Sequence, residues 1–111
     1  MSEGPTNSYS VKVAPGVVAA VVQLAALGVP GVAHLAEGRR FPRFLLAGRS
    51  AGGVRLEVVD GSATIDLHVV VERDSDMRAV CGQVQRAVAE AVSNLVGMPV
   101  REVNVHVQDV Q

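Results

Sequence analysis

The sequence has few of the residues on which redox chemistry and electrostatic targeting depend. Its one cysteine, Cys81, excludes a disulfide within the chain. Ten Lys and Arg residues stand against eleven Asp and Glu, which leaves a net charge of -1 and excludes attraction of the whole molecule to nucleic acid or anionic lipid. Aromatic residues make up 3% of the chain and hydrophobic residues 49%, so the core has to be packed from Val, Ala and Leu.

The sequence also lacks an apolar run suited to a membrane span. The stretch Val13–Leu35 is nearly all apolar, but Gln23 interrupts it and the Gly and Pro residues of 28–31 end any helix there. A helix over Pro15–Leu27 is roughly 20 Å long, whereas the hydrocarbon core of a bilayer is about 30 Å thick. We therefore predict a core helix that is covered on more than one side, because its apolar residues go almost all the way round.

The remaining patterns predict a mobile tail over residues 1–8 and a single domain over 9–111. Along the domain, stretches in which apolar residues recur at every second position alternate with stretches in which they recur every three to four positions. They predict strands near 9–13, 32–36, 54–58, 63–71 and 103–107, helices over 15–27 and from 77 to about 95, and a long loop over 37–53. The order β-α-(β)-β-β-α-β indicates an α+β two-layer sandwich of ferredoxin-like or related fold, with two helices on one face of a mainly antiparallel sheet.

The dipeptide Asp60-Gly61 between two alternating stretches is a strong signal for a tight β-hairpin. Counting outward from this turn places Arg55 opposite Asp66 and Glu57 opposite Thr64. We therefore predict a cross-strand ion pair between Arg55 and Asp66, on a sheet face open to water or to a partner.

No set of residues in the sequence has the pattern of a catalytic or metal site. Cys81 lies on the apolar stripe of the second helix, where we expect a buried and poorly ionised thiol. Of the three histidines, His34, His68 and His106, the last two fall on the polar face of neighbouring or near-neighbouring strands, but no short-spaced pair of ligands is present. We predict a protein that is not an enzyme and that holds no cofactor and no metal.

Four of the ten basic residues are concentrated in the predicted loop, with no acidic residue among them. Arginine interleaved with phenylalanine suits an anionic partner surface, a lipid headgroup layer or nucleic acid. A solvated loop whose Phe side chains fold back onto the core explains the same pattern, and the sequence leaves the two interpretations open. The candidate partner-binding residues are Arg39, Arg40, Phe41, Arg43, Phe44 and Arg49.

Six stretches of the sequence together resemble the bacterial alkaline-shock (general-stress) protein family, and they extend over nearly the whole chain. They are YSVKVAPGVV (9–18), VPGVAHL (29–35), GVRLEVVDG (53–61), TIDLHVVV (64–71), VQRAV (84–88) and VNVHV (103–107). In that family a Tyr-Gly pair usually follows the strand that ends here at Val71, whereas this chain has Glu72-Arg73. The family has no accepted active site, so the resemblance assigns no catalytic residue.

The resemblance implies a bacterial protein of the cytoplasm, without known catalysis, that is linked to envelope and alkaline stress. Some members are held near the inner face of the membrane by a separate anchor protein, and others are encoded beside a fatty-acid-kinase-like protein. We therefore expect a homo-oligomeric module that binds a protein partner of one of these kinds. The alternative is a nucleic-acid-binding protein that uses residues 39–49, which the net charge of -1 disfavours.

Overall fold

The computed structural model describes residues 13–36, 49–51 and 53–111. The predicted tail (1–8) and all of the predicted strand 9–13 except Val13 lie outside the described residues, and Val13 belongs to no strand. The elements are α1 (Pro15–Leu27), β1 (Val32–Leu35), β2 (Arg49–Ala51), β3 (Val54–Val59), β4 (Ser62–Val71), α2 (Met77–Ala91), which continues into a π-helical turn (Val92–Val96), and β5 (Val100–Val110).

Strand β4 is the centre of a five-stranded sheet. One of its edges pairs antiparallel with β3 and, further along, with β1, while β2 extends the sheet beyond β3. Its other edge pairs with β5 in parallel, and α2 provides the crossover that a parallel pair requires. The predicted α+β class, with a mainly antiparallel sheet, is confirmed, and so is the short strand predicted near 32–36.

The hairpin forms where the sequence predicted it. Asp60 and Gly61 have φ angles of 52° and 78°, which is the left-handed conformation that both central residues of a type I′ turn require. The predicted register is confirmed, with Arg55 opposite Asp66 and Glu57 opposite Thr64.

The core lies between the two helices and one face of the sheet. Helix α2 begins at the N-cap Asp76, whose carboxylate accepts a hydrogen bond from the Ala79 amide at 3.2 Å, and the helical segment ends at Gly97, which has a φ of 79°. The largest fully buried side chains are all aliphatic, and all but Leu67 are β-branched: Val18, Val22, Val54, Ile65, Leu67, Val69, Val71, Val84, Val88 and Val92.

Two predictions about the first half of the chain are wrong in part. The segment 37–53 was expected to be a loop, yet Arg49–Ala51 forms β2, because a turn at Gly53 with φ 82° returns the chain antiparallel to β3. The rest of that loop, 37–48, lies outside the described residues. Helix α1 was expected to be covered on more than one side. The sheet and α2 both pack against it, but the part of the chain that the structure describes leaves its outer side open, where Leu24 is 73% exposed and Val17 is 53% exposed.

Candidate functional site

The face of the sheet that points away from the helices carries the polar side chains of β3, β4 and β5. Parallel pairing places Asp66 beside Asn104 and His68 beside His106. On the other side, Arg55 of β3 lies opposite Asp66. Because side chains alternate between the two faces of a strand, these residues share the face that the helices leave uncovered. We call this surface the open face, and its central residues are Arg55, Asp66, His68, His106 and Gln108.

Asp66 lies between two basic side chains. Its Oδ2 is 3.7 Å from Nη1 of Arg55, and its Oδ1 is 3.3 Å from Nε2 of His106. The Asp66 and Arg55 side chains are only 21% and 29% exposed. The predicted ion pair is therefore confirmed, and it belongs to a larger group that the pairing of β4 with β5 brings together.

The two histidines of the open face stack on each other. Their ring centroids are 4.7 Å apart, with an angle of 16° between the ring planes. The side-chain amide nitrogen of Gln108 lies 3.1 Å from Nδ1 of His68. Because an amide nitrogen can only donate, Nδ1 of His68 is the acceptor and a neutral ring carries its proton on Nε2.

The surroundings of His68 favour its neutral form. Burial of the ring is the largest cause that lowers the pKa of His68, and the adjacent His106 lowers it further, while Asp66 acts in the opposite direction. Protonation would also place an N–H group on Nδ1, directly against the amide donor of Gln108. The hydrogen bond and the electrostatics therefore favour the same protonation state.

The backbone of His68 is fixed where β1 ends and β3 begins. Its carbonyl accepts a hydrogen bond from the Ala36 amide at 2.7 Å, and its own amide donates to the Gly53 carbonyl at 2.9 Å. A side chain at position 53 would bring its Cβ within 2.4 Å of the Ala36 carbonyl oxygen, so only glycine lets the two segments approach this closely. This junction holds His68 in line with His106.

The donor set of the open face does not resemble a metal centre. A structural or catalytic zinc site needs three or four protein ligands whose donor atoms converge. Stacked imidazole rings direct their nitrogens within two parallel planes, so the lone pairs of His68 and His106 do not meet at one point. Among residues 13–36, 49–51 and 53–111, no group of three or more His, Cys, Asp and Glu side chains is placed to hold a metal ion.

Cys81 and a sizeable hollow lie on the helical side of the molecule. The Cys81 side chain is only partly buried, which corrects the expectation of a buried thiol, although burial does raise the pKa of the thiol as expected. A hollow of about 390 Å³ opens beside the N-terminus of α2, between Gly31, Glu72 and Gln83. The hollow is lined by the hydroxyl of Ser75 and the carboxylates of Glu72 and Asp76, but Ser75 donates its hydrogen bond to the Glu72 carbonyl and Asp76 caps helix α2, so neither carboxylate is bonded to the hydroxyl as a catalytic base would be.

The predicted partner-binding residues fall mostly outside the structure. Arg39, Arg40, Phe41, Arg43 and Phe44 lie in 37–48, outside the described residues, and Arg49 begins β2. Their role stays a prediction.

The stacked histidine pair and Gln108 were not predicted as a group. Alternation placed both histidines on one face, but stacking depends on the register between β4 and β5, which no turn joins. Gln108 continues the polar alternation of Asn104 and His106, but the bulge beside it, which affects its distance from His68, has no signal in the sequence.

The fold is similar to that of solved structures of the MamM CTD. The copper form of that domain has a TM-score of 0.55 and 16% sequence identity, and the match covers 87% of each chain. The cadmium form of a variant has a TM-score of 0.54 and 17% identity, covering 86% of this chain and 96% of the other. At this level of identity the likeness concerns the fold alone, and it agrees with the predicted ferredoxin-like arrangement.

Two bacterial proteins are similar to the chain over nearly its full length. An uncharacterized protein YqhY of Bacillus subtilis is 27% identical over 100% of this chain and 84% of its own length. An uncharacterized protein Spy1535 of Streptococcus pyogenes is 26% identical over 95% of this chain and 83% of its own length. A family model also matches residues 3–111. The chain belongs to the alkaline shock protein 23 family, which has a cell envelope-related function.

Proposed function

We propose that this protein is a non-catalytic interaction module that binds a protein partner through the open face, in a stress-related process of the cell envelope. The observation that carries the proposal is the preorganised group Arg55–Asp66–His106–His68–Gln108 on a sheet face that neither of the described helices covers. Because these polar side chains are already held in place, a partner can bond to their donors and acceptors with little loss of conformational entropy. This favours specific binding at this face. Family membership supports the link to the envelope.

The charges of the open face favour a protein partner over a nucleic acid. Among the described residues of this face, Arg55 is already paired with Asp66, while Glu57 and Glu102 add two more acidic groups nearby. A phosphate backbone would meet this net negative surface unfavourably. A protein surface with both donors and acceptors complements it better.

Among the described residues, no helix is both long and apolar enough to cross a membrane. We therefore propose that any position at the envelope comes from the partner, as the resemblance implies for members held by a membrane anchor protein. The protein then stays in the cytoplasm and reaches the inner face of the membrane only through that contact.

Affinity capture from the native bacterium with a set of matched variants tests this role. The open-face variant is Arg55→Ala with His106→Ala, and its control removes two exposed basic side chains of α2, Arg78 and Arg86, in the same way. We expect the open-face variant to lose a partner that the wild type and the control retain. A third arm, with alanine at Arg39, Arg40 and Arg43, tests the loop. Retention of every partner by the open-face variant contradicts the proposal.

A further inference from the structure

The outer edge of β5 is the longest strand edge that lacks a neighbouring strand in the described part of the chain. Strand β5 has eleven residues and pairs with β4 alone, whereas the opposite side of the sheet ends in the short strands β1 and β2, of four and three residues. A long edge presents a row of backbone donors and acceptors that can pair with another strand. Short edges do not offer such a template.

The composition of this edge protects it from pairing only toward its ends. Proteins commonly blunt an exposed edge with charged side chains, especially lysine, with proline or with bulges. Val100–Val110 contains neither lysine nor proline, and its charged residues Arg101, Glu102 and Asp109 lie toward its two ends, as do its bulges at Arg101 and Gln108. Between them, residues 102–107 run in regular alternation.

A side chain of α2 already bonds to the backbone of this strand. The amide nitrogen of Gln85 donates a hydrogen bond to the Val103 carbonyl at 3.0 Å, as the N–H group of a neighbouring strand would. The carbonyl has two lone pairs, so this bond does not prevent a second donor from approaching.

We propose that β5 pairs antiparallel with β5 of a second copy of this chain, around a two-fold axis at Val105, so that the sheet continues from one copy into the next. Opposite charges favour this register over its neighbours. It places Arg101 opposite Asp109 of the second copy, and the two-fold axis repeats the pair. Both residues are exposed, and cross-strand pairs of opposite charge stabilise antiparallel strands.

Two adjacent registers also keep the helical faces of both copies on the same side of the sheet, but they are less favourable. With the axis at Asn104, Arg101 would lie opposite Val107. With the axis at His106, the His106 side chains of the two copies would lie opposite each other. With the axis at Val105, Val103 lies opposite Val107 on the helical side. The open faces of the two copies then become one continuous surface. The pairing stands on the strand edge alone, independently of the proposed function.

Sedimentation equilibrium of the full chain with charge-reversal variants tests this pairing. We expect the wild type to form a dimer. The dissociation constant of the dimer should be at least about tenfold higher for Arg101→Asp or Asp109→Arg, because each single change places two pairs of like charges opposite each other. The double variant carrying both changes recreates two attractive pairs and should regain the wild-type dimer. Arg78→Asp, which changes the same charge on α2, should have no effect.

Cysteine cross-linking tests the register in a Cys81→Ala background. A mixture of Arg101→Cys and Asp109→Cys chains should form a disulfide between the two variants, while either variant alone should not, because like positions lie about 25 Å apart.

Three results of these two experiments overturn the proposal. They are a wild-type protein that stays monomeric up to roughly 1 mM, a dimer that the double variant does not restore, and cross-linking of Arg101→Cys to itself. If the monomer shows strong protection of the β5 edge amides from hydrogen exchange, another segment of the same chain occupies the edge, and this also overturns it.

Discussion

The two faces of the sheet use different interactions. The helical face is built from buried aliphatic side chains such as Ile65 and Leu67, which no polar group interrupts among the residues described as buried. The side chains of the open face alternate with these along the same strands, yet they form an ion pair, a stacked histidine pair and an amide contact. The comparison teaches that stability and recognition are separated by the strand alternation itself, so that one can change with little effect on the other.

The largest expected effect comes from truncating the helical face. Ile65 is 0% exposed, so Ile65→Ala should lower the free energy of unfolding by about 2 to 5 kcal/mol through lost burial and the cavity left behind. Thr64→Ala, one residue away on the open face, should cost under about 1 kcal/mol. Urea denaturation of both variants provides the measurement, and equal losses would remove the distinction between the faces.

The next effect concerns the junction that holds His68. Gly53→Ala should destabilise the protein by about 2 to 3 kcal/mol, because the new Cβ would meet the Ala36 carbonyl oxygen as well as occupy a left-handed backbone. Gly61→Ala shares the positive φ but has no atom within 4 Å of its Cβ, so it should cost only about 1 to 2 kcal/mol. Thermal or urea unfolding that ranks Gly61→Ala as the more harmful change would contradict this account of the junction.

A smaller effect is expected from neutralising the centre of the open face. Asp66→Asn should reduce stability by about 1 kcal/mol or less, since it weakens the contacts with both Arg55 and His106. Glu57→Gln is the matched control, because it removes an exposed carboxylate from the same face of the same hairpin. If Glu57→Gln lowers stability as much as Asp66→Asn does, the position of Asp66 between Arg55 and His106 adds no stability.

The smallest effect is a dependence of stability on pH. Because the pKa of His68 is lowered in the folded protein, the unfolded chain binds more protons, and stability should fall as the pH drops below about 6.5. His106→Gln removes the one neighbouring charge that lowers this pKa and leaves the effect of burial, so the stability of this variant should fall less steeply. Urea midpoints between about pH 7.5 and 5.5 measure the difference. If the stability of the wild type and of His106→Gln falls with the same slope as the pH drops, His106 does not influence the protonation of His68.

Local patterns were sufficient for much of the fold. Asp60-Gly61 set both the turn and the register of the hairpin, and therefore the Arg55–Asp66 pair, because a two-residue turn leaves one way for the strands to align. Pro15, Asp76 and Gly97 marked helix ends for equally local reasons.

The features that the sequence did not predict depend on contacts between distant segments. Strand β2 is only three residues long, so its alternation is too short to distinguish from a loop, and pairing with β3 decides its conformation. The stacking of His68 on His106 depends on a parallel register with a bulge at each end, which α2 and the core determine together. The exposed side of α1 could not be inferred because an apolar helix shows no preferred face in its sequence.

The central claim is that the open face recognises a protein partner, and the imidazole signals of His68 and His106 report on it most directly. We expect both ring signals to shift in a saturable way when the captured partner is titrated into the ¹³C-histidine-labelled chain, because the two rings lie at the centre of the proposed contact. Signals that stay unchanged while sedimentation shows the complex to be formed would contradict the claim.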